Sequence, residues 1–87
     1  MEKRLLINED YIMLPICPGK KEILLEMFLE EADGLTKVME WMVPIGEIEG
    51  NDYAYTYKAT IPVKAWKGKK LVLMGKVPEQ FFEEVDN

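Results

Sequence analysis

The residues best equipped for chemistry lie between Gly46 and Tyr57. Glu47, Glu49 and Asp52 crowd the stretch GEIEGND, and a tyrosine row, Tyr53, Tyr55 and Tyr57, follows directly. A glycosidase needs two carboxyl groups facing each other across a cleft at a set separation, one with a raised pKa. Three acids between glycines, with no apolar wall beside them, read as a solvated loop instead. Their spacing does not match a calcium-binding loop, and acids beside Gly46 and Gly50 repel a phosphate. The tyrosines offer more. Rings two residues apart on a strand share one face, forming an amphipathic platform that can stack on a sugar ring or a partner protein. Packing of that face against a second sheet is the favoured alternative. Trp41 shares the ambiguity, and Trp66 leans toward the core.

Other chemistry is missing its parts. There is no histidine, which removes the commonest general base and metal ligand. The one cysteine, Cys17, follows Ile16 and precedes Pro18, so no disulfide within the chain and no cysteine metal site is expected. No cofactor is implied. The net charge of −5, without a basic cluster, argues against nucleic acid; Lys67, Lys69 and Lys70 look like a solvated turn. The apolar runs are too short for a membrane span, and the start MEKRLLINEDY is no signal peptide. A cytoplasmic chain is expected, or an extracellular one if it is an excised fragment.

The elements that hold these residues are strands. Eighty-seven residues give one domain, residues 1–87, with a thin core. The stretch KKEILLEMFLEEADG from Lys20 decides the class. Its residues are strong helix formers, yet Ile23, Leu25, Met27 and Leu29 alternate with Leu24, Glu26, Phe28 and Glu30, as in a half-buried strand. Its neighbours settle the choice. Lys3 to Ile7, Tyr11 to Ile16, Lys37 to Ile45, Tyr53 to Ile61 and Lys69 to Met74 all read as extended, and a lone helix would leave their backbone groups short of partners. We therefore expect Glu22 to Glu30 to be a central strand, with a hairpin turn at Asp33-Gly34. In the next strand Val38, Glu40 and Met42 should face one way, and Met39, Trp41, Val43 and Ile45 the other. Pro15 should confine its run to a sheet edge, and Val63 to Gly68 should turn a corner over Trp66. A short helix should follow Pro78, with Phe81, Phe82 and Val85 on one side. The expected fold is a mainly β, small antiparallel β-sandwich of five to seven short strands with a short C-terminal helix.

The order of the motifs Tyr11-Ile-Met-Leu-Pro-Ile16, Asp33-Gly34, Ala65-Trp-Lys-Gly-Lys-Lys-Leu-Val-Leu73 and Val77-Pro-Glu-Gln-Phe-Phe82 resembles the N-terminal accessory region of bacterial glycoside hydrolase family 32 enzymes. These are the levanases, inulinases and sucrose-cleaving fructosidases. The resemblance implies a non-catalytic appendage packed on a catalytic propeller domain of the parent chain, with Phe81 and Phe82 in an apolar patch at that interface. It also implies weak contact with fructan or sucrose-type carbohydrate through Tyr53, Tyr55, Tyr57 or Trp41. The family's catalytic signatures do not occur: Asn51-Asp52 is followed by Tyr53 rather than proline, and Cys17 is preceded by Ile16 rather than glutamate. The alternative is a stand-alone interaction module that self-associates through a sheet edge or the tyrosine row.

Overall fold

A computed structural model describes residues 2–19, 21–45 and 57–86, with the backbone alone at Tyr57. Among these residues six strands form two antiparallel sheets. The larger sheet contains β1 (Glu2–Leu6), β3 (Glu22–Glu31), β4 (Gly34–Pro44) and β6 (Lys70–Gly75), in the order β1-β6-β3-β4. The smaller pairs β2 (Tyr11–Ile16) with β5 (Tyr57–Pro62). A 3-10 turn (Lys64–Trp66) precedes β6, and α1 (Glu79–Glu83) follows it. The expected β-sandwich with a terminal helix is what the chain adopts. Two of its strands are longer than expected: β3 has 10 residues and β4 has 11.

Alternation builds the core. Leu25, Met27 and Leu29 of β3, Leu71 and Leu73 of β6, and Val43 of β4 point inward. They meet Ile12, Leu14 and Ile16 of β2, so both sheets share one interior. The helix-forming composition of β3 yields to pairing on both flanks, with β4 and with β6. Among the described residues β3 is the strand that joins β4 to β6.

The β3–β4 hairpin turns through Ala32 and Asp33, where Glu31 pairs with Gly34. Gly34 has φ 127°, a backbone angle that side chains disfavour, which explains glycine there. Further along, Met27 pairs with Met39 but Phe28 pairs with Lys37, leaving Val38 as one extra residue. This β-bulge has a consequence for phase. Strict alternation would put Lys37 beside Met39 and Trp41 on the inner face. The bulge instead places it opposite Phe28 on the outer face. The outward set of β4 is therefore Leu35, Lys37, Glu40 and Met42.

The end segment closes the sandwich. Phe81 and Phe82 are both buried, their rings edge to face with centroids 5.8 Å apart, and Val77 and Val85 join the same core. The Lys3 ammonium donates to the Phe82 carbonyl at 2.5 Å, near the C-terminal end of α1, where a cation suits the exposed carbonyls. Met13 and Asp86 exchange backbone hydrogen bonds on the free side of β2. Pro15, two residues beyond Met13, has its missing donor on that same edge, as its position in the sequence led us to expect.

Candidate interaction surfaces

The expected binding residues scatter. Tyr53 and Tyr55, with the acids Glu47, Glu49 and Asp52, lie outside the described residues, and Tyr57 is placed by its backbone alone, opposite Ile16. The next members of that row, Ala59 and Ile61, pack against the core. Trp41 sits on the inner face of β4, half-buried against the core. The interface expected at Phe81 and Phe82 is corrected. Phe81 has no exposure and Phe82 only 6%, because a thin core draws both rings into it. Among the described residues no group of three or more acids or cysteines is arranged to hold a metal ion.

The outer face of the larger sheet is where charge collects. Arg4 of β1 bonds Glu2 at 2.8 Å and also reaches Glu30 of β3. Since β6 lies between β1 and β3, the Arg4 side chain must cross it, over Val72. Val72 pairs with both Arg4 and Phe28 on this outer face, yet it has no exposure. The arginine stem and the phenylalanine ring account for that. Lys37 forms a second cluster with Glu40 and, at 3.1 Å, Glu26. The hydrogen bond with Glu40 and then that with Glu26 raise the Lys37 pKa. Arg4 is raised likewise, by Glu2 first and then Glu30.

At the end of this face a groove of about 510 Å3 opens where β6 leaves β3. Ile23, Leu24 and Met74 give it apolar walls, Glu22 and Lys76 flank it, and Gly75 lies in it. A Cβ at Gly75 would come within 3.0 Å of the Leu24 carbonyl oxygen, so glycine lets the two strands meet there. Beside it Leu24 pairs with Met42, and both are exposed.

The outer edge of β4 is the second surface. The Pro44 carbonyl accepts from Cys17 N on that edge, at 3.1 Å, while Ile45 N turns inward to the Lys21 carbonyl. Backbone groups alternate in direction along a strand, so those of Met42 and Glu40 point to the open edge. Thr36 pairs with Leu29, which lies on the row of β3 that bonds toward β4; Leu35 and Lys37 therefore also point outward. Among the described residues β4 has no strand neighbour on this side, from Gly34 until Cys17 closes the edge at Pro44. The sequence groups Glu40 and Met42 on one face, as found, but it also groups Val38 with them, which instead packs against the core, and it leaves Lys37 unplaced because the bulge carries no signature in residue type.

No family model, curated protein or solved structure matches this chain.

Proposed function

We propose that this domain is a non-catalytic association module that recruits a strand to the open edge of β4. The observation that carries the reading is the outward backbone row of Leu35, Lys37, Glu40 and Met42 on a strand of 11 residues. A strand edge of that length without a strand neighbour is a template for another chain. Its own devices argue for a controlled edge rather than a sticky one: the Val38 bulge, the Lys37 charge and Pro44 are the means by which proteins restrict pairing to a chosen partner. The carboxylates of Glu26, Glu30 and Glu40 already meet cations on the sheet surface, a structural use rather than a catalytic one.

Residue-resolved amide hydrogen exchange at micromolar concentration tests the reading. The outward amides of Lys37, Glu40 and Met42 should exchange far faster than the inward amides of Met39, Trp41 and Val43. Equal protection of both sets in protein that sedimentation shows to be monomeric would mean that the edge is covered within the chain, and the reading would fall. A second reading, an accessory domain on a fructan-cleaving propeller, is supported by the sandwich and terminal helix that the family resemblance implies.

A further inference from the structure

The open stretch of β4 is complementary to itself, and we propose that its partner is a second copy of this chain, paired antiparallel about a two-fold axis. This rests on the association reading above and names the occupant of the edge. The usable length runs from Gly34, where the turn releases the strand, to Val43, before the Cys17 contact at Pro44. Antiparallel pairing of that whole length with itself fixes one register: Gly34 opposite Val43, Leu35 opposite Met42, Thr36 opposite Trp41, and Lys37 opposite Glu40.

Three independent features agree with this register. The first is backbone direction. Leu35, Lys37, Glu40 and Met42 all aim their N–H and C=O groups outward, so both outer pairs can exchange reciprocal hydrogen bonds. The second is the face. Every pairing joins residues on the same side of the sheet: Lys37 and Glu40 outside, Leu35 and Met42 outside, Thr36 and Trp41 inside. That match exists only because the Val38 bulge reverses the phase between the two halves of the strand. Were all the residues from Gly34 to Val43 kept in unbroken alternation, the two halves would face opposite sides in this register. The third is chemistry. Lys37 of each copy meets Glu40 of the other, and Leu35, 41% exposed, meets Met42, 56% exposed. The competing register that sets Trp41 opposite itself pairs Glu40 with Met42 and brings Pro44, which has no donor, against Val38. A register that sets Glu40 opposite itself stacks like charges. In the favoured arrangement the two four-stranded sheets become one continuous sheet, with the ion pairs running across the seam.

Sedimentation analysis of the purified full chain across a concentration series tests the proposal, using wild type, Lys37→Glu, Glu40→Lys, the double reversal and Glu40→Pro. Wild type should show a monomer–dimer equilibrium. Each single reversal places like charges opposite one another at both symmetric pairs, and should weaken the dimer about tenfold or more. The double reversal should return the dissociation constant to within a few-fold of wild type. Glu40→Pro removes an outward donor and should abolish the dimer. A double reversal no tighter than the single ones overturns the register. A dimer indifferent to Glu40→Pro overturns the use of this edge, and the association reading with it. A chain that stays monomeric at every concentration, with its outward amides exchanging freely, overturns self-pairing and leaves the edge to a different partner.

Discussion

Phe81 shows what one side chain contributes in a domain this thin. It is fully buried in the shared core, edge to face with Phe82, so its burial holds α1 against that core. Phe81→Ala should cost about 3–5 kcal/mol, a large share of the stability of so small a fold, and should appear as a lowered urea midpoint. Asp10 works through charge. Its Oδ1 lies 2.6 Å from the Lys67 ammonium, and its backbone carbonyl accepts from Val63, so the turn after β1 is held to the corner before β6. The close Lys67 ammonium holds the Asp10 carboxyl below its usual 3.8 despite opposing desolvation. A depressed carboxylate stabilises the fold above its unfolded pKa, and that contribution disappears as pH falls through the lower, folded value. Asp10→Asn should therefore lower the thermal midpoint slightly at neutral pH. The gap between mutant and wild type should close in strong acid; a gap that widens there would contradict the assignment.

The hairpin of β3 and β4 is the element that gives the molecule its outer surface. Its inner row was legible in the residues themselves, since Leu25, Met27, Leu29, Trp41 and Val43 alternate without a break. The strand assignment of β3 also followed, though only by counting what its neighbours needed. The bulge did not. An alternation of two has no memory of phase, so a single inserted residue becomes visible only when both flanks have known partners. Val38 looks like any other β-branched residue. Residue type alone therefore gives Lys37 no face, and the self-matching of the edge leaves no mark in the sequence. The buried placement of Phe81 and Phe82 was half-legible: both were seen on one side of a short helix, but core demand rather than a docking surface claims that side. Deletion of Val38 should leave a folded chain in which Phe28 still opposes Lys37, because the remaining residues then form a regular ladder. Cross-strand nuclear Overhauser effects between β3 and β4 should keep their present register, and the straightened edge should aggregate more readily.

For the whole molecule, the relation to fructan-cleaving enzymes is a proposal with its own experiment. If the chain is their accessory domain, titration of the isolated protein with inulin, levan or sucrose should show no turnover and at most weak heat of binding, diminished by Trp41→Ala. Release of fructose by pure protein would overturn it. Fold does not carry function by itself, and the sandwich is equally at home in a self-pairing module. Charge separates the two in practice: a monomer–dimer equilibrium governed by Lys37 and Glu40 needs no sugar.

The lysine near the start of the chain that grips a carbonyl near its end has a kinetic meaning. Lys3 and Phe82 stand 79 positions apart, and among the described residues β1 pairs with β6. Loops that long are entropically expensive to close before any contact rewards them. Folding should therefore take milliseconds to seconds, and β1 must wait until β6 has been synthesised before it can pair.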